Sequence, residues 1–279
     1  MEEKYISSFD LSLCTRWWGE KPSIIILHGW LDQSASWDIV AQNLLFQGYG
    51  SVVPDHRGHG KSDHAPQNTH YHFPDYVADL SSLHWHINKR APIILIGHSM
   101  GGTIASIYAS LFPERVQKIL LIEGLGPRSE SHIQAQERYK KHILQREDSR
   151  PHKVFGSKEE AIHRYLQIHP SLSFERASSL CERILVPCTE GLRWRFDSRH
   201  KESSAISFLE ERHGAILEGI QSPCSLIFGR ESPYTSWVNI EKRSKQIPSL
   251  QKIYYIEGGH SPHLSHPIVL TNLLLQALQ

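Results

Sequence analysis

A serine between glycines is the most specific sign of chemistry in this chain. Residues 97–101 read G-H-S-M-G, with Ser99 at the centre, and they lie between an apolar run and an amphipathic stretch. A G-x-S-x-G pattern between a strand and a helix is typical of a nucleophile elbow, a tight turn that exposes the serine hydroxyl. A serine hydroxyl becomes an effective nucleophile only when a base accepts its proton. The pattern therefore predicts that Ser99 is a nucleophile paired with a base.

Two histidines near the end of the chain compete for the role of that base. His260 follows a Gly-Gly pair directly after the last apolar run, which predicts it at the same edge of the sheet as Ser99. His263 follows a proline at the start of the terminal helical stretch, where packing or capping accounts for it better. We therefore favour His260 as the base and keep His263 as the alternative.

The backbone before the first helix supplies a second element of this chemistry. Residues 28–30 read H-G-W and directly follow an apolar run. In an elbow of this kind, the backbone N–H groups of Trp30 and Met100 would point at one spot beside Ser99 and form an oxyanion hole. The flanking residues predicted to contact a substrate are His28, Gly29 and His98.

Continuous apolar runs indicate the strands that must position these groups. Such runs are typical of parallel strands covered on both faces, and they occupy residues 23–27, 50–54, 93–97, 119–122, 224–228 and 252–256. A more exposed antiparallel edge strand is predicted at 11–18. Helical spacing of apolar residues occurs at 36–46, 76–88, 101–112, 237–246 and 268–278. The alternation predicts an α/β fold with a mostly parallel central sheet flanked by helices.

The alternation stops between residues 127 and 221. That stretch is polar and rich in Arg, Glu, His and Ser, and it far exceeds the ~12–15 residues beyond which plain loops become uncommon. It is predicted to be an inserted helical cap of several short helices without a buried strand. Residues 1–126 and 222–279 would then form the core.

Four segments together resemble the α/β-hydrolase superfamily. They are H-G-W-L-D at 28–32, D-H-R-G-H-G-K-S at 55–62, G-H-S-M-G at 97–101 and G-G-H at 258–260. The resemblance covers nearly the whole chain, least of all the cap, and the sequence at 28–38 resembles the serine-hydrolase-like branch. It implies the α/β-hydrolase fold, with the 55–62 loop as scaffold. Ser99 argues against the dehalogenases and epoxide hydrolases that share the fold, because these use an aspartate nucleophile.

The resemblance implies a catalytic triad of nucleophile, base and acid, but it does not decide which residue is the acid. Related enzymes place it in a G-x-x-D turn after the penultimate strand, where this chain reads G-R-E-S and ends on Ser232. Glu123, directly after the run at 119–122, is favoured because a carboxylate there can accept the second ring N–H of His260. Glu231 is the alternative, and a site without a functioning acid is the third possibility.

These residues predict a serine hydrolase acting on a small ester or acyl substrate through an acyl-enzyme, with neither cofactor nor metal. A carbon–carbon bond hydrolase uses much the same groups and is the first alternative. A catalytically degenerate binding protein of the same fold is the second, because fold alone does not establish activity and the usual acid position holds Ser232.

Composition argues against several other classes of protein. Lys and Arg total 30 against 29 Asp and Glu, a balance that argues against a nucleic-acid partner. No stretch approaches the ~18 apolar residues of a membrane span, and the first residues lack the apolar segment of a secretory signal. Four cysteines without a C-x-x-C pair indicate free thiols and a cytoplasmic location. The 19 histidines show no metal-binding spacing such as H-E-x-x-H, and oligomeric state has no signal in the sequence.

Overall fold

A central sheet with helices on both faces organises the protein. The computed structural model describes residues 1–148 and 152–279. In chain order the strands are β1 (Glu2–Ser8), β2 (Leu11–Trp18), β3 (Ile24–Leu27), β4 (Ser51–Pro54), β5 (Ile93–His98), β6 (Val116–Ile122), β7 (Leu185–Cys188), β8 (Gly191–Trp194), β9 (Cys224–Gly229) and β10 (Leu250–Ile256). Eight of them form the large sheet, in the order β1-β2-β4-β3-β5-β6-β9-β10.

The helices connect these strands and cover the sheet. They are α1 (Asp38–Phe46), α2 (Phe73–Asn88), α3 (Met100–Leu111), α4 (Ala135–Glu147), α5 (Lys158–Ile168), α6 (Phe174–Ile184), α7 (Glu210–Glu218), α8 (Tyr234–Trp237), α9 (Ile240–Lys245), α10 (Pro262–Ser265) and α11 (Pro267–Leu278). Short 3-10 helices lie at Ser34–Trp37, Pro113–Arg115, His132–Gln134 and Ser198–Lys201. Buried side chains of α2 and α3 pack on one face of the sheet, and those of α1 and α11 pack on the other.

The strand pairing confirms the predicted fold class. From β4 through β3, β5, β6 and β9 to β10 every pair is parallel, and in this sheet only β2 runs the other way, antiparallel to both β1 and β4. Strands that run in parallel end at one edge of the sheet, so the segments after β3, β5, β6 and β10 meet there. This edge is where the predicted chemistry lies.

Two predicted elements differ from the structure. β2 has the predicted bounds but is not the edge, because β1 pairs along its whole length. The charged start of β1 hides its strand pattern, in which only Ile6 and Ser8 are buried. The helix predicted at 237–246 is broken into α8 and α9, since Val238 is extended and the Asn239 side chain caps α9 by accepting from the Lys242 N–H.

The segment between β6 and β9 contains helices and one hairpin. Helices α4 to α7 agree with the prediction of short helices, whereas the β7–β8 hairpin was not predicted. The hairpin strands are only partly buried, so they lack the continuous apolar run that identifies core strands. A separate hydrophobic cluster forms around Phe155, Leu180 and Trp194, and Ala35 and Leu264 join it from the core side.

Helix α7, which lies within the predicted cap segment, packs against α3. Its Leu217 is fully buried in the same cluster as α3, and Gly219 lies against Ser110 at the end of that helix. All four cysteines are free. Within residues 1–148 and 152–279, none of the helices has both the length and the apolar character needed to cross a bilayer.

Candidate active site

Ser99 lies on a strained turn between β5 and α3. Its φ is +51°, a left-handed conformation that a non-glycine residue adopts only when its surroundings enforce it. The Ser99 N–H donates to the carbonyl of Ile122 at 3.0 Å, which ties the turn to the end of β6. A Cβ at Gly97 would lie 2.6 Å from the Gly101 carbonyl oxygen, so the tight turn requires glycine there. The serine is therefore held, partly exposed, at the edge of the sheet.

A continuous hydrogen-bond path joins Ser99, His260 and Glu123. His260 Nε2 lies 3.0 Å from Ser99 Oγ, and His260 Nδ1 lies 2.9 Å from Glu123 Oε2. An Nδ1–H that donates to the carboxylate leaves Nε2 free to accept the serine proton. The Glu123 side chain is fully buried and that of His260 is 30% exposed. The structure thus brings together the three residues predicted as nucleophile, base and acid.

Glu123 is held from two further sides. Its φ of +52° places it, like Ser99, in the left-handed region at the end of a strand. Oε1 accepts the N–H of Gly229 at 2.6 Å, and Oε2 also accepts a short hydrogen bond from the Ser232 hydroxyl. The carboxylate therefore has protein donors on both oxygens, which fixes its orientation.

Ser232, at the usual acid position, and Glu231, the alternative acid, differ in their contacts. Ser232 is buried and donates to Glu123, so the residue at the usual acid position supports the carboxylate that lies in its place. Glu231 is exposed, and its backbone N–H donates to the Gly258 carbonyl at 3.1 Å. Among the described residues, the two ring nitrogens of His260 contact Glu123 and Ser99 and not Glu231.

The two predicted oxyanion donors flank the serine. Met100 is the first residue of α3, and Trp30 lies in the loop after β3. Among the described residues, neither backbone N–H donates a hydrogen bond within the chain. The Trp30 indole is 52% exposed, and its Nε1–H donates to the His200 carbonyl at 3.1 Å, which connects this loop to the cap segment.

His28 is buried beneath the site, contrary to the predicted substrate contact. Its Nε2 accepts the backbone N–H of His56 at 3.0 Å, so its Nδ1 carries the proton and faces the Gly29 carbonyl at 2.7 Å. With both ring nitrogens engaged and no exposed surface, the imidazole has no face toward a substrate. Gly29 itself lies against Ser99, because a Cβ there would be 3.4 Å from the serine Cβ.

His98 and His263 lie behind the serine instead of facing solvent. His98 Nε2 contacts the His260 carbonyl at 2.7 Å, which ties the elbow to the loop of the base. Burial, together with the nearby His263 and His260, holds the pKa of His98 well below its ordinary value, so its ring is neutral. His263 faces Asp32 through Nε2 at 3.1 Å and stacks on Trp37, away from Ser99.

Sequence reasoning missed two residues of this site. Ser232 was interpreted only as a missing acid, although a hydroxyl at the expected acid position is itself a signal for a supporting hydrogen bond. Asp32 was quoted within a motif but given no role, and the structure places it against His263 and the Ser36 hydroxyl. A carboxylate inside an otherwise apolar and glycine-containing motif is the pattern that would have identified it.

A separate cavity lies elsewhere in the molecule. A volume of about 1080 Å³ opens between α4 and the 198–203 segment, lined largely by charged side chains that include Arg138, Lys201 and Glu202. None of Ser99, His260 or Glu123 lines it. Size alone does not outweigh the arranged nucleophile and base, so the candidate site is the serine at the sheet edge.

Known proteins resemble the chain over most of its length. The profile of the alpha/beta hydrolase fold family matches residues 22–267. A serine hydrolase-like protein of Danio rerio is 27% identical over 92% of this chain and 81% of its own. Serine hydrolase-like protein 2 of Homo sapiens is 27% identical over 94% and 89%. Among solved structures, the thioesterase domain from the curacin biosynthetic pathway has a TM-score of 0.89 and 28% identity, and 99% of each chain is covered.

Proposed function

The chain belongs to the α/β-hydrolase fold family, and from that premise we propose that it is a serine hydrolase acting on a small ester-like or thioester-like substrate. The profile match and the serine hydrolase-like relatives confirm the resemblance inferred from the sequence. The observation that carries the proposal is the hydrogen-bond path from Ser99 Oγ through His260 to a fully buried Glu123.

The first half of the proposed reaction forms an acyl-enzyme. Ser99 Oγ attacks the substrate carbonyl while His260 Nε2 accepts the serine proton, and Glu123 stabilises the resulting imidazolium. The negative charge on the carbonyl oxygen is met by the N–H groups of Trp30 and Met100, both free of other acceptors within the described residues. His260 then protonates the leaving alcohol or thiol, and the acyl group remains on Ser99.

The second half releases the acyl group. A water molecule takes the position of the leaving group, and His260 accepts its proton as the oxygen attacks the acyl carbon. Collapse of the intermediate breaks the bond to Ser99, whose oxygen regains a proton from His260. No redox step or external cofactor is needed for this sequence.

Further roles follow from the same geometry. We assign His28 a positioning role, since its ring supports the loop that carries Gly29 and Trp30. His98 is likewise a positioning residue, through its contact with the His260 carbonyl. We also propose that residues 127–221 are an insertion whose part before α7 forms a cap over the serine. The thioesterase domain that the chain resembles supports the inclusion of thioesters.

A fluorophosphonate probe tests the proposal. The reagent should label the purified protein at Ser99, as located by mass spectrometry, and labelling should disappear in His260→Ala. His86→Gln is the matched control, because this histidine is exposed on α2 and, within the described part of the chain, has no contact with the site. Absence of labelling in folded protein, or equal labelling in His260→Ala, contradicts the proposal and favours a binding protein of the same fold.

A further inference from the structure

A buried carboxylate and two imidazoles lie together behind the proposed nucleophile. One ligand atom each from Asp32, His98 and His263 falls within 4.8 Å of the others. His98 and His263 are 3% and 2% exposed, and the Asp32 side chain is 13% exposed. These residues take no chemical step in the proposed hydrolysis, and neither Asp32 nor His263 has another assigned task.

Both histidines have a buried ring nitrogen without a partner. Among the described residues, His98 Nδ1 and His263 Nδ1 make no hydrogen bond. Because His98 Nε2 donates to the His260 carbonyl, its Nδ1 carries a lone pair rather than a proton. A buried lone pair without a donor is costly, since it has lost its hydration with no replacement. A cation beside His98 would supply that missing partner.

The spacing of Asp32 and His263 suits a small divalent ion. Asp32 Oδ2 and His263 Nε2 are 3.1 Å apart. Zn²⁺ holds nitrogen and oxygen ligands at ~2.0–2.2 Å in a tetrahedral arrangement, which separates neighbouring ligand atoms by about 3.3 Å. Replacement of the shared proton by a metal therefore needs little movement of this pair. His98 would approach by on the order of 1 Å to complete three ligands.

The donor set of the cluster also favours a transition-metal cation. One carboxylate and two imidazoles make up the cluster of Asp32, His98 and His263. Imidazole with carboxylate is a ligand set suited to Zn²⁺ and its neighbours.

We propose that Asp32, His98 and His263 form a binding site for a divalent transition metal, with Zn²⁺ as the best match. The Trp37 ring, stacked on His263 at 4.4 Å, holds that imidazole in place. The Ser36 hydroxyl donates to Asp32 Oδ2 at 3.0 Å and acts as an outer partner that orients the carboxylate. The open edge of Asp32 provides the route of entry.

Direct titration with Zn²⁺ tests the site without reference to hydrolysis. Calorimetry on the full chain should detect one tight equivalent of Zn²⁺, and Co²⁺ should give the visible absorption of a low-coordinate site. Asp32→Asn and His263→Gln should each weaken Zn²⁺ binding by about 100-fold or more, because loss of even an outer partner typically costs ~10–100-fold. Zn²⁺ should also raise the melting temperature of the native protein but not of these variants.

Two controls locate the metal. His260→Gln removes an imidazole whose ring lies 5.0 Å from that of His98, and His86→Gln removes an exposed one, so both should retain the tight equivalent. His98→Gln is a third test of the ligand set. If His98→Gln fails to fold, the two single variants Asp32→Asn and His263→Gln are sufficient. Unchanged Zn²⁺ affinity in His263→Gln, loss of binding in His260→Gln alone, or no tight equivalent in the native protein overturns the assignment.

Discussion

The Ser232 hydroxyl donates to the same carboxylate oxygen of Glu123 that faces His260 Nδ1. The two side chains come from different strands, since Glu123 follows β6 and Ser232 follows β9. The carboxylate that we propose as the triad acid therefore lies at the end of the neighbouring strand and accepts a hydrogen bond from the residue at the usual acid position.

Removal of the Glu123 charge should nearly abolish turnover. In Glu123→Gln, the amide keeps the volume but offers Ser232 and His260 a donor where both need an acceptor. We expect kcat for a p-nitrophenyl ester to fall by roughly 10³–10⁴-fold, the scale set by loss of the carboxylate in serine protease triads. Circular dichroism should show an unchanged fold. Glu231→Gln, on an exposed side chain, serves as the control and should retain full kcat.

A carboxylate at residue 232 should partly replace the lost acid. The Ser232 oxygen already contacts the Glu123 carboxylate, so an aspartate there reaches the neighbourhood of His260 Nδ1. The double variant Glu123→Gln, Ser232→Asp should recover kcat by at least about 10-fold over Glu123→Gln alone, or about 1.4 kcal/mol of barrier. An aspartate at exposed Ser236 in the same background provides the comparison. Equal activity of the two double variants would count against acid migration.

His98 should influence kcat through the position of His260. Its Nε2–H holds the His260 carbonyl at 2.7 Å, and His98→Leu removes that donor from a buried site. We expect kcat to fall by roughly 10-fold, because small displacements of a catalytic base are costly, while KM changes little. His98→Gln offers an amide N–H in its place and should recover most of the loss. A rise in KM with unchanged kcat would instead indicate direct substrate contact.

Acid should destabilise the fold through buried histidines such as His213. Burial, and next the nearby Arg243, lower the pKa of His213 from 6.5 to about 4. Between these values the unfolded chain binds the proton and the folded chain does not, so the free energy of unfolding falls as pH decreases from about 6.5 to about 4. From pH 7 to pH 5 this single group should cost about 2 kcal/mol.

Urea unfolding at the two pH values measures that effect. His213→Gln should lose about 2 kcal/mol less between pH 7 and pH 5 than the native protein does. His86→Gln, altered at an exposed helical position, should keep the native pH dependence. An unchanged dependence in His213→Gln would show that other groups account for the acid sensitivity.

Local sequence was sufficient for the sheet and the elbow because both depend on short-range signals. Apolar runs located the parallel core strands, and G-H-S-M-G fixed the turn at Ser99. The edge strand β1 was not predicted, because burial of alternate residues among charged ones leaves only a weak hydrophobic pattern. The contact of Asp32 with His263 could not be predicted, since the two residues are 231 positions apart. Their proximity depends on strand order rather than on any local motif.

In the proposed mechanism, the bond from the Trp30 indole to the His200 carbonyl would make substrate admission and charge stabilisation interdependent. A bulky acyl group that displaces the 3-10 helix at Ser198–Lys201 must break this bond and loosen the loop that bears the Trp30 N–H. Such a substrate could still occupy the cleft, but the Trp30 N–H would no longer be held where it can stabilise the negative charge on the substrate oxygen. Discrimination by size should therefore appear as slow turnover of bound molecules instead of weak binding.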